Sequence, residues 1–175
     1  MGAKGVRGSA VLEILVGVAI LVFVILPVFS AVMEKYIFLE KSRIIRDAVD
    51  MANISVYNAL ATEDLGRVRV DMPRSEADKI FKEVLRANLS LNNDMTPKPD
   101  SVAEGLVEVI SPPEIYPAGS PMPCQNGTSA VRPTVHSSVT IPIKPSLYRS
   151  LILKLLGKEY IDVVVHVDTE IPVDN

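Results

Sequence analysis

A single carboxylate, Glu13, interrupts an otherwise uncharged run from Ser9 to Met33, SAVLEILVGVAILVFVILPVFSAVM. In the middle of a membrane helix such a group costs about 2.5–3.5 kcal/mol, so it calls for a partner or a function. As a helix these 25 residues reach about 37 Å at ~1.5 Å per residue, more than the ~30 Å hydrocarbon layer of a bilayer. One crossing is expected. Lys4 and Arg7 precede the run with no acid among the first eight residues, and positive flanks stay cytoplasmic, which predicts an N-in, C-out anchor. Glu34, Lys35, Glu40 and Lys41 mark the exit into water. Pro27 predicts a disturbance late in the crossing, because it removes one backbone hydrogen bond. Two competing readings remain. The run resembles a secretory signal cut before Ala31, although its length and Glu13 count against a disposable leader. Glu13 near the helix start can also simply snorkel to the headgroups.

The remaining candidates for chemistry are few. His136 and His166 alternate with apolar residues on two expected strands and are read as solvated, since zinc usually takes three or four protein ligands. Cys124, the one cysteine, excludes an internal disulfide; it is read as a spectator thiol, or as a link between subunits in an oxidising compartment. Asp162, His166, Asp168 and Glu170 read as a solvated charged face. Of three glycosylation sequons, at Asn53, Asn88 and Asn126, only Asn126 falls in an evident loop. No phosphate-binding loop, zinc-protease, nucleophile-elbow or EF-hand pattern occurs, so no catalytic residue, metal or cofactor is expected. A net charge of −3 and a pI near 5.4, with no long basic run, argue against nucleic acid as a partner.

The elements that must position these groups follow from periodicity. Residues 34 to 62 continue at helical spacing without proline or glycine, with Ile37, Ile45, Ala48, Ala52, Ser55, Val56 and Ala59 on one stripe. One long helix from Ser9 to about Thr62 is predicted, its second half packed on a small domain. After a turn around Gly66 and Pro73, Ser75 offers a cap for a helix to about residue 89, with Ala77, Ile80, Phe81, Val84 and Leu85 on its inner face. Residues 92 to 101 read as a polar loop and residues 102 to 110 as a strand broken by Gly105. Residues 111 to 133 hold six of the thirteen prolines and read as a surface loop. Residues 134 to 143 and 159 to 171 alternate as half-exposed strands, separated by a short apolar helix begun by Pro145 and Ser146 and stopped by Gly157. The class is α+β: a long N-terminal transmembrane and amphipathic helix, then a small domain with an antiparallel sheet.

Gly8-Ser9-Ala10-Val11-Leu12-Glu13, behind a short leader carrying Lys4 and Arg7, resembles the class III signal of the type IV pilin superfamily. With the pattern of strand, proline, short apolar helix, glycine and strand over about 131 to 173, the chain resembles TadE-like pseudopilins of the tight adherence (Tad) pilus. Residues 63 to 130 carry no part of this likeness. The resemblance implies a leader, 1–8, recognised with Lys4 and Arg7 and cut by a prepilin peptidase between Gly8 and Ser9. A membrane helix, 9–33, a periplasmic continuation, 34–62, and an outer domain, 63–175, would then follow. It implies assembly, not catalysis: Glu13 meets the new Ser9 α-amine, of pKa about 8, on a neighbouring copy and sets the subunit register. The implied partners are other pilin subunits, the peptidase, the inner-membrane assembly machinery and lipid. The implied location is the inner membrane and then a periplasmic or extracellular filament used for attachment. Ser9 and Ile14 depart from type IVa and Flp pilins, which usually carry Phe after the cut or Tyr after the glutamate. A type II secretion pseudopilin and a single-pass protein with an external ligand-binding domain are the alternatives.

Overall fold

A computed structural model describes residues 6–60, 73–124 and 129–171. Lys4, Gly66 and Asn126, and the expected helix end at Thr62, lie outside them. The first segment is helical throughout: α1 (Val6–Ile20), a π-helical turn at Leu21–Ile25, then α2 (Leu26–Leu60). In the π turn the Leu26 N–H donates to Leu21 O, five residues back. Pro27 explains its position. The proline ring would press on the carbonyl four residues earlier, and a wide turn just upstream relieves that crowding.

Along this helix Ala10–Ala59 contains an 18-residue window of mean hydropathy 2.9, none of it buried by the rest of the chain. It is long and apolar enough to serve as a single-pass membrane anchor. Further on, the same helix becomes core: Ile45, Ala48, Val49, Ala52 and Val56 are buried. The expected stripe is corrected at three points. Ala59 is exposed, while Val49 and the polar Asn53 are buried on the stripe.

The helix α3 (Arg74–Asn88) buries Ala77, Phe81 and Leu85 against α2 and the sheet, with Ile80 and Val84 half-buried beside them. Ser75 does not cap it. Pro73 is the N-cap, and its carbonyl accepts the N–H groups of Glu76 and Ala77. Proline suits this place because it has no donor to leave unsatisfied.

Three antiparallel strands follow in the order β1 (Glu108–Tyr116), β2 (Thr134–Ile143), β3 (Ile161–Glu170). The last two match expectation closely. The first does not: it begins later than residue 102 and runs through Pro112 and Pro113, inside the expected loop. Edge position makes this possible, since a proline on an edge strand need forfeit no ladder bond, and the register shifts at Val109/Ser111 and Ser111/Glu114 absorb the misfit. Gly105 lies before this strand, where the chain passes β2 closely. A Cβ there would stand 2.9 Å from Pro142 Cβ, and the adjacent Glu104 N–H donates to Pro142 O at 2.8 Å.

One sheet face, carrying Val139, Ile141, Ile143 and Val167, closes the core with α2 and α3. The other face of β2 is not solvated as its alternation suggested. Thr134, His136 and Ser138 are buried along with their neighbours. Between β1 and β2, residues 119–120 pair with Ala130 through the Gly119 N–H to Ala130 O and Ala130 N–H to Ser120 O hydrogen bonds, forming a flap in which Met122 and Ala130 are buried. This flap brings Cys124 to the back of the sheet, where its N–H donates to Asp168 at 3.0 Å.

Between β2 and β3 lies α4 (Arg149–Leu156). It starts later than Pro145, after Tyr148 takes a left-handed conformation (φ 50°). It stops as expected at Gly157 (φ 62°), where the N–H groups of Gly157 and Lys158 return to Lys154 O and Leu153 O.

Candidate functional site

Arg7, Gly8 and Ser9 all fall within α1, so the backbone of the expected cleavage site is helical. Glu13 is exposed one turn further on, with Val11, Leu12, Ile14 and Leu15 exposed around it. From Glu13 to Met33 the side chains are open apart from Ala19 and Ser30, which are half-buried.

The first acid beyond that apolar stretch behaves differently. Glu34 is buried, and its Oε1 and Oε2 accept the N–H groups of Ser146 (2.8 Å) and Leu147 (2.6 Å). A carboxylate satisfied twice by backbone donors makes a strong, directional clamp. Close by, the Lys41 ammonium donates to Lys144 O at 3.0 Å and lies 3.9 Å from Glu104, which also pairs with Arg149. Burial pulls the Lys41 pKa below its ordinary value, with Arg149 adding to the effect and Glu34 opposing it. The sequence marked Glu34 only as a return of charge. Its capping role depends on a loop more than a hundred residues away.

A second group gathers behind the sheet. The register pairs His136 with Asp168 and Ser138 with His166, so His136 and His166 are diagonal neighbours on one face. Their rings stack 16° from parallel with centroids 6.4 Å apart. His136 Nδ1 stands 2.7 Å from Asp168 Oδ1 and 3.4 Å from Cys124 Sγ. A ligand atom from each of Cys124, His136 and His166 lies within 4.8 Å of the others. His136 is only 8 % exposed, whereas Cys124 and His166 face solvent. The reading of His136 and Asp168 as solvated is therefore corrected, while His166, Asp162 and Glu170 are exposed as expected. Burial and the Asp168 carboxylate push the Cys124 thiol up to about 11, with Arg46 acting the other way. The flap that covers the polar face of β2 is the reason alternation misled: it supplies a third layer that periodicity within one strand does not show.

Asn53, one of the sequons, is fully buried, and its Nδ2 donates to Thr169 Oγ1 at 3.0 Å. Thr169 in turn donates to Asp50 at 2.6 Å. This chain of contacts is structural and closes the site to glycosylation.

Comparison with protein-family models, curated proteins and solved structures finds no match to this chain.

Proposed function

We propose that this chain is a filament-forming subunit of the type IV pilin superfamily, most like a Tad pseudopilin or minor pilin, processed after Gly8 and assembled through its apolar helix for surface attachment. The observation that supports the reading is the division of one continuous helix. A bare apolar half carries a lone acid five residues after Gly8, and the other half is buried in an α+β domain. The leader stays on the cytoplasmic side with Lys4 and Arg7, and the outer domain on the far side. Cutting between Gly8 and Ser9 exposes an amine that is mostly protonated at neutral pH. When many such helices pack side by side and water is excluded, that cation and the Glu13 carboxylate of an adjoining copy stabilise each other only at one axial stagger. The helix supplies lateral contact, Glu13 supplies register, and the outer domain forms the filament surface.

Intact mass of the protein recovered from membranes tests this directly. Loss of Met1 to Gly8, leaving Ser9 as the first residue, is expected. A full-length chain or a start at Ala31 overturns it. In the Glu13→Ala variant cleavage should persist while incorporation into filaments falls at least tenfold; undiminished incorporation removes the register role.

A further inference from the structure

We propose that Cys124, His136 and His166 form a binding site for a divalent transition cation of borderline softness, Zn²⁺ being the best fit, with Asp168 orienting His136. Three donors of types suited to such an ion converge within 4.8 Å, although they come from the flap, β2 and β3. Asp168 Oδ1 stands 2.7 Å from His136 Nδ1, which leaves Nε2 as the His136 nitrogen free to ligate. Asp168 accepts from the Cys124 backbone and sits against His136, the outer-shell carboxylate that ligating histidines usually have. Charge also balances. One thiolate and one carboxylate with two neutral imidazoles offset a divalent ion, and the thiol proton leaves to solvent as the sulfur–metal bond forms.

A separate observation on the same face supports a polar occupant. Ser138 stands opposite His166 and two residues from His136, is 1 % exposed, and its hydroxyl has no hydrogen-bond partner among the described residues. The exposed Cys124 and His166 give an ion a way in from solvent. The site is independent of the filament reading.

The test uses full-length protein in detergent, titrated with Co²⁺ and Zn²⁺. One equivalent of Co²⁺ should bind with a thiolate-to-cobalt charge-transfer band, be displaced by Zn²⁺, and release a proton. Cys124→Ser should abolish the band, and His166→Ala, at an exposed position that leaves the fold intact by thermal melting, should weaken binding at least tenfold. Asp162→Asn, on the same strand but outside the cluster, should change nothing. No stoichiometric binding, binding without the band, or unchanged affinity in His166→Ala overturns the proposal.

The Glu34 clamp carries a second inference, which rests on the helix crossing a membrane. The geometry points to α4 lying in the headgroup region of the leaflet from which the helix emerges. Glu34 immediately follows the apolar run, and by holding Ser146 and Leu147 it fixes the start of α4 at that level. There α4 exposes Leu151 (63 %), Leu155 (85 %) and Leu156 (53 %), interleaved with Arg149, Lys154 and the following Lys158. Tyr36 and Tyr148 are exposed at the same level, where aromatic rings favour the membrane interface. An apolar helix side with flanking cations is the pattern of an interfacial helix on anionic phospholipid.

Probe positions in full-length Cys124→Ser protein, reconstituted in vesicles of anionic phospholipid, decide it. An environment-sensitive fluorophore at Leu155→Cys should be quenched by brominated acyl chains. One at Val131→Cys, equally exposed at 81 % but placed near the far end of the sheet, should not be. A probe at Leu21→Cys reports separately whether the long helix is inserted: if it is unquenched, the membrane reading fails. Quenching at Leu21→Cys with none at Leu155→Cys overturns the interfacial helix alone. Burial of the Leu155→Cys probe that depends on protein concentration and not on lipid does the same, in favour of a second copy of the chain.

Discussion

The two halves of the long helix have the same backbone and opposite surroundings. Between Ala10 and Met33 large apolar side chains stand open, whereas Ile45, Ala48, Val49, Ala52 and Val56 on the inward stripe are closed over by α3 and the sheet. The first half owes its structure to its own hydrogen bonds and needs an apolar medium or neighbouring helices; the second is held by tertiary burial. Mutations should therefore act on different observables in the two halves.

The largest effect is expected where the second half is packed hardest. Phe81→Ala, which opens a cavity between α3 and α2, should cost the outer domain about 3–5 kcal/mol, measured by denaturant unfolding of the full chain in detergent. Gly105→Ala places a methyl group against Pro142 and should cost about 1–3 kcal/mol by overpacking. A cost near zero there means that the loop beside β2 moves freely. Asn53→Ala removes the side chain that links α2 to Thr169 and should cost about 1–2 kcal/mol. Leu15→Ala, at a position 64 % exposed in the bare half, should leave domain unfolding within about 0.5 kcal/mol and act only on helix association. A Leu15→Ala effect as large as that of Phe81→Ala would erase the distinction between the halves.

How much of this was legible depended on how local the signal was. The apolar run, the inner face of α3, the strands β2 and β3 and the glycine stop of α4 are patterns within one element, and residue spacing located them. The strand β1 was read too early, at 102 to 110, because its prolines read as loop until its edge position was known. In the sequence, His136 and His166 read as a solvated pair with too few ligands for a metal, and Cys124 and Asp168 carried no sign of belonging with them. Only the pairing of His136 with Asp168, together with the fold of the flap, assembles the cluster. Glu34 was missed for the same reason: its partners are backbone groups distant in sequence, and backbone donors leave no mark in residue type.

The wide turn at Leu21–Ile25 also sets direction around the helix axis. At 100° per residue, an uninterrupted α-helix would place Glu13 about 40° from the azimuth of Ile45; one extra residue in the turn carries it to about 140°. Glu13 thus points nearly away from the side on which the outer domain is mounted. A second helix can approach that acid without colliding with the bulky head, and Pro27, by inducing the turn, governs which flank of the molecule is available for lateral contact.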